Sequence, residues 1–168
     1  MSPTVEEQIM TTTLSLAEVA VASMQAIAAV DRAGCHAYNH PEAINREADT
    51  EPLAARQPGP EGFYATALWL QNLASDLAFD IHHVVSAGDL VVVHATMRGH
   101  QSNPHTLYAP DGTPAQVMPN HGRAFAVTQT HWFRMRDGLV FEHWANRDDL
   151  GMAMQLGWFD PPEASTAA

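Results

Sequence analysis

Thr128–Trp158 reads TQTHWFRMRDGLVFEHWANRDDLGMAMQLGW, and this stretch decides the fold. Two runs of alternating apolar residues flank Asp137-Gly138, a dipeptide that favours a two-residue hairpin turn. With that pair as the turn, Arg136 faces Leu139, His131 faces Trp144, Gln129 faces Asn146 and Val127 faces Asp148. Side chains of a strand alternate between faces. The spacing therefore predicts one shared face for Gln129, His131, Phe133, Glu142, Trp144, Asn146 and Asp148, and sets His143 on the opposite one. His, Asp, Asn and Gln mixed with Trp and Phe are not an ordinary core; such a face predicts the lining of a pocket.

Working outward, the order is helix, connector, helix, then strands. Leu14–Arg32 is rich in Ala, Leu, Val and Met and predicts a helix stopped at Gly34. Tyr38–Arg56 reads as an irregular polar connector, and QPGPEG (Gln57–Gly62) as a breaker. Phe63–Ser75 predicts a second helix. Leu77–Ser86 and Leu90–Gly99, joined by Gly88-Asp89, predict a strand pair. Gln101–Gly122 carries four prolines and reads as a long loop that crosses or lids something. Ala124–Arg136 and Leu139–Asn146 are the last strands, and Asp148–Leu156 a short terminal helix stopped by Gly157. Residues 1–12 and 160–168 read as loose ends of a single domain spanning 1–168. Helices segregated from strands argue an α+β fold, with a strongly curved antiparallel sheet forming a cone closed by the N-terminal helices.

Composition bounds the function. Eight Lys and Arg against nineteen Asp and Glu give a net charge of −11, and the basic residues are scattered. Nucleic acid and anionic membranes are therefore not expected partners. Ten histidines exceed the permanent cations, so full protonation would bring the charge to about −1 and predicts poor solubility near pH 5. The lone Cys35 excludes an internal disulfide, fits a reducing compartment and reads as a buried or neutral thiol. Met10–Ala33 is apolar, but Glu18 interrupts it and no basic segment precedes it, so a cytoplasmic location is expected. No metal site is expected, because His82 and His83 point to opposite faces of a strand and no HExxH or Cys/His cluster is present. Nucleophile-elbow, P-loop and dinucleotide fingerprints are absent from the sequence.

The strand pair VVSAGDLVVVHATMRGH, the GRAF that enters a later strand, Asp137-Gly138, EHW, the trailing Asp and QLG resemble, in this order, the SnoaL-like polyketide cyclases of the nuclear transport factor 2-like superfamily. The resemblance is spread over about Val30–Trp158. Two segments depart from it: Gln101–His121 is longer than the usual connection, and NHPEAINRE replaces a shorter one. Both fall near the expected pocket mouth. The resemblance implies a curved-sheet cone under helices, a homodimer or homotetramer, and no cofactor. It also implies an acid/base Asp at the end of the last strand, a place that Asp148 takes here. His131 is the expected helper, chosen by its place in the hairpin register.

The implied chemistry is aldol-type cyclisation or isomerisation of a small hydrophobic or aromatic ketone or a polyketide. A carbon between two carbonyls is already acidic, so one base and one donor to the enolate oxygen suffice. Apolar walls raise a carboxyl toward neutrality, as Trp144 would do for Asp148. His131, or Asn146 with Gln129, would supply the donor. Phe133 and Trp144 would line the pocket, Tyr64 and Trp69 on the second helix would close it, and Tyr38, Asn45 and Arg46 would cap its mouth. Plainer readings stand beside these. Asp148 or Asp149 is equally the N-cap of the terminal helix, and His131 equally a satisfied core histidine. The whole cone is equally a non-catalytic small-molecule binder, or an epoxide-hydrolase-like enzyme.

Overall fold

The computed structural model describes residues 14–159; the expected loose ends, 1–12 and 160–168, lie outside the described residues. In chain order the elements are α1 (Leu16–Ala28), α2 (Arg32–Tyr38), β1 (Asn39–Asn45), a single 3-10 turn (Ala48–Thr50), α3 (Pro60–Leu73), β2 (Ala78–Ala87), β3 (Leu90–His100), β4 (His105–Tyr108), β5 (Pro114–Met118), β6 (Ala124–Arg136), β7 (Leu139–Arg147) and α4 (Asp149–Leu156). Ser15 opens α1 with a capping box closed by Glu18. The first helix is not continuous to Arg32, because Val30 turns into the left-handed region at φ 54° and Asp31 starts α2. Gly34 is not a stop but lies inside α2, where a Cβ would come within 2.8 Å of Ala26 Cβ. Its lack of a side chain lets α1 and α2 touch.

Five strands form one sheet in the order β1-β7-β6-β3-β2. The three pairs from β7 to β2 are antiparallel, as the sequence indicates. β1 corrects the all-antiparallel expectation: it comes from the supposedly irregular connector and lies parallel to β7, so the sheet is mixed and open, not closed into a barrel. Pro41 withholds an N–H from the ladder, which an edge strand tolerates. Alternate residues of β3 (Val91, Val93, Ala95, Met97) and β6 (Phe125, Val127, Phe133, Met135) turn toward the helices and pack against Val19, Met24, Phe63 and Leu73. Burying a side chain such as Phe63 or Phe133 stabilises the fold by roughly 1.5–3 kcal/mol each. Cys35 is fully buried in the same core, and burial, with Asp31 and Glu61 nearby, pushes its thiol up to about 11.

The β6–β7 hairpin turns at Asp137 (φ 52°) and Gly138 (φ 78°), both in the left-handed region that a tight hairpin turn demands. Arg136 pairs with Leu139 as expected. One step further the register breaks: Met135 pairs with Val140 but Arg134 with Glu142, so Phe141 is a one-residue bulge. His131 then lies opposite Ala145 and Phe133 opposite His143. A second bulge falls between Ile81 and His83. It turns His83 away from the core face, and its ring stacks on His94 at 5.9 Å.

Gln101–Gly122 is likewise not bare loop. It holds the small β4–β5 sheet, strapped down from three sides. The Arg56 guanidinium donates to the carbonyls of Ala109 (2.8 Å) and Pro110 (3.0 Å). Trp69 Nε1 donates to Thr106 O at 2.9 Å and Trp158 Nε1 to Pro119 O at 3.1 Å. Among the described residues, no helix is long and apolar enough to cross a membrane.

Candidate active site

Between the sheet and the helices lies a cavity of about 370 Å³. Met24, Ile27, Phe63, Leu70, Leu73, Phe79, Met97 and Phe133 make most of its wall apolar. Of the residues expected from sequence, Gln129, His131, Phe133, Trp69 and Asn45 line it together.

The bulge at Phe141 sends the others elsewhere. Trp144 is on the outer face, stacked on Trp132 at 6.2 Å, and Asn146 Oδ1 accepts from Trp132 Nε1 at 3.3 Å. Glu142 pairs with Arg46 and with Arg134. Asp148 also lies outside the cavity lining, where its carboxylate accepts the Gly151 N–H at 2.8 Å as the N-cap of α4. The expected pocket placement of Asp148, Trp144 and Asn146 is therefore corrected, for a physical reason. One extra residue in β7 exchanges its two faces below the bulge. Tyr64 packs beside the Arg32 guanidinium, 5.9 Å from its ring centre, and Tyr38 against the core; neither lines the cavity.

His143 takes the inward place instead, and with it a buried polar chain forms. Gln129 Oε1 lies 2.9 Å from His131 Nε2, and His131 Nδ1 lies 2.9 Å from His143 Nε2. His143 Nδ1 lies 2.9 Å from Asn45 Oδ1. Asn45 Nδ2 donates to Thr66 Oγ1 at 3.3 Å, and the Thr66 hydroxyl donates to Glu51 Oε2 at 2.5 Å. The Glu47 N–H donates to Asn45 Oδ1 at 3.2 Å and holds that amide in one sense. With Asn45 so held, His143 donates from Nδ1 and accepts from His131 at Nε2. Neutral His131 then keeps its one proton at Nδ1 and is an acceptor at Nε2, which only an N–H of the adjacent Gln129 side-chain amide can satisfy.

Burial sets the charges. It lowers His131 to about 4, helped by Arg147, and takes His143 well below the ordinary histidine value, with His131 and Arg147 adding to it. Both rings are neutral at pH 7. Glu51 moves the other way. Only 2% exposed, it is pushed up by burial to about 7, against the opposing pull of the Thr66 hydrogen bond and of the Arg147 charge. Arg147 lines the cavity, held by Glu47 (3.3 Å) on one side and Asp149 (3.1 Å) on the other.

Sequence reasoning missed Glu51, Thr66, His143, Arg147 and His105. His143 and Arg147 were one bulge away. Glu51 sits in an aperiodic connector where nothing marks it from the other acidic residues, and Thr66 and His105 carry no motif.

A family model for SnoaL-like polyketide cyclases matches residues 18–156. The chain belongs to that family. TsrD from Streptomyces laurentii is similar in structure, with a TM-score of 0.63 at 28% identity over 83% of this chain and 92% of that one. IdmH from Streptomyces antibioticus, described as a candidate polyketide cyclase, gives a TM-score of 0.64 at 25% identity over 86% and 99%. AclR from Streptomyces galilaeus, described as a candidate hydroxylase, gives 0.62 at 17% identity over 85% and 98%, a likeness of fold. No curated protein matches the chain. SnoaL-like members thus share this sheet and helix arrangement, whereas the polar chain described above is read from this chain's own residues.

Proposed function

We propose that this SnoaL-like protein is a cofactor-independent acid–base enzyme that cyclises or isomerises a small hydrophobic ketone or poly-β-ketone in the cavity. Glu51 carries the proton. One observation supports the reading above others: a carboxyl buried in the wall of an apolar cavity, with its pKa near 7, is tied through Thr66 and Asn45 to a fixed pair of imidazoles. A group that titrates near the working pH serves as both base and acid.

In the aldol direction the Glu51 carboxylate takes a proton from the carbon between two carbonyls. The resulting enolate carbon attacks a further carbonyl of the same molecule and forms the new C–C bond. The alkoxide so produced takes the proton back from Glu51, which restores the carboxylate. The Arg147 guanidinium supplies fixed positive charge on the cavity wall while negative charge sits on oxygen. His131, His143, Asn45 and Thr66 act as positioning residues, because their hydrogen-bonding groups are turned to one another. The apolar wall folds the flexible substrate, and that positioning contributes several kcal/mol in well-oriented intramolecular reactions.

The test is ring closure of a linear aromatic triketone, followed by absorbance, with wild type and Glu51→Gln. The amide keeps the shape and the Thr66 contact but cannot take the proton. Turnover should fall by about 10²–10⁴-fold while the melting temperature holds. Full activity in Glu51→Gln would remove Glu51 from the mechanism. Binding of the triketone without turnover by either protein would favour the plain binding module.

A further inference from the structure

His105 is the first residue of β4. Its ring lies between two indoles that both line the cavity, 4.4 Å from Trp69 and 5.7 Å from Trp158, and is nearly parallel to the latter at 6°. Each indole N–H is spent on a backbone carbonyl of the β4–β5 segment, Trp69 on Thr106 and Trp158 on Pro119. The slot holding His105 is therefore built by α3, by the residue beyond the α4 cap and by the β4–β5 hairpin together. Within it, His105 is 4% exposed, and its Nδ1 is the one buried side-chain nitrogen or oxygen among the described residues with no hydrogen-bond partner. Buried polar atoms are paired in the great majority of cases, and leaving one unpaired costs about 1–3 kcal/mol. A core role for this ring gains nothing from its nitrogens.

We infer that His105 is a specificity contact of the substrate cavity, where its imidazole accepts a hydrogen bond from an enolic or phenolic hydroxyl on a planar, aromatic-like substrate. The inference takes the cavity of the preceding section as the substrate site and names the class of molecule it selects. Burial, reinforced by Arg147 and opposed by Asp149, keeps the ring neutral at pH 7, so it retains one lone pair. A half-turn about the Cβ–Cγ bond exchanges Nδ1 with Cδ2 and Nε2 with Cε1, and acceptance through Nδ1, which is buried in this structure, would use that exchange. The flanking tryptophans favour a flat π-system beside the histidine. An enolised poly-β-ketone and a phenolic product share this feature: a hydroxyl on a planar conjugated frame.

The probes are 1-naphthol and its methyl ether, in which a methyl group replaces the hydroxyl hydrogen and removes the donor. Affinities are read by calorimetry on wild type, Glu51→Gln and His105→Phe, the last keeping the ring and its stacking. Wild type should bind the naphthol about tenfold more tightly than the ether, the size of one hydrogen bond to a buried group. His105→Phe should bind the two equally, and Glu51→Gln should keep the preference. Should His105→Phe not fold, two-bond ¹⁵N–¹H spectra of wild type give the answer directly. The naphthol shifts the unprotonated ring nitrogen of His105 and the ether leaves it in place. An equal affinity of wild type for both probes, no binding of either, or a preference surviving in His105→Phe would each overturn the inference. A preserved preference in a fully active Glu51→Gln would instead fault the catalytic reading and leave His105 standing.

Discussion

Two carboxyl groups of this chain have the same chemistry and opposite surroundings. Asp148 follows β7, faces water and accepts the Gly151 N–H as a helix cap. Glu51 follows the 3-10 turn, lines the cavity and is 2% exposed, with burial raising it to about 7. A solvated cap stabilises a helix end, whereas a desolvated carboxyl beside an apolar void is poised to exchange a proton. In the proposed mechanism, environment, and not position at the end of the last strand, assigns the roles.

The sharpest way to break that contrast is the Glu51→Gln exchange, with its expected loss of about 10²–10⁴ in turnover. The next effect is on stability. His131 and His105 are held at about 4 in the folded protein against an ordinary value of 6.5. They bind fewer protons folded than unfolded. Their contribution is full above pH 6.5 and is lost as pH falls through about 4. Urea midpoints should therefore drop steeply between pH 6.5 and 4, and less steeply in His105→Phe. A midpoint that stays level over this range would mean that the rings are not held neutral. Glu51 has the opposite sign: raised from 4.5 to about 7, it favours the fold below pH 4.5, and that advantage is lost as pH rises through about 7. Glu51→Gln should remove this alkaline decline.

Thr66→Val sharpens the contrast further. The Thr66 hydrogen bond holds the Glu51 pKa down, so its loss should raise that value and move the acidic limb of the rate profile upward. About a tenfold loss is expected at pH 7, recovering toward pH 9. A loss of rate that is equal at every pH would show that Thr66 only shapes the pocket. The smallest effect belongs to Asp148→Ala, which should lower stability by about 1 kcal/mol through the lost cap. Turnover should not change, and a large fall would return Asp148 to the chemistry.

How much of this was legible in the sequence follows from where local signals are strong. Asp137-Gly138 fixed the hairpin turn, and the alternation of β3 and β6 fixed their buried faces. Phe133, His131 and Gln129 were placed in the cavity because β6 is regular over that span. Across the turn the same logic misplaced Trp144, Asn146 and Asp148, since a bulge inserts one residue without any mark in a run such as LVFEHW. β1 stayed hidden because an edge strand holding Pro41 in NHPEAIN lacks alternation. Glu51 was invisible for another reason. Its burial is created by tertiary contacts with Thr66 on α3 and by the covering of the cavity, neither of which has a local signature.

The most direct test of Glu51 as the working acid and base is the pH dependence of kcat/KM for the aromatic triketone. It is measured side by side on wild type, Asp148→Asn and Glu51→Gln. Wild type and Asp148→Asn should rise along the same limb with an apparent pKa near 7, and Glu51→Gln should be low and flat. A limb that survives in Glu51→Gln but vanishes in Asp148→Asn would contradict the account.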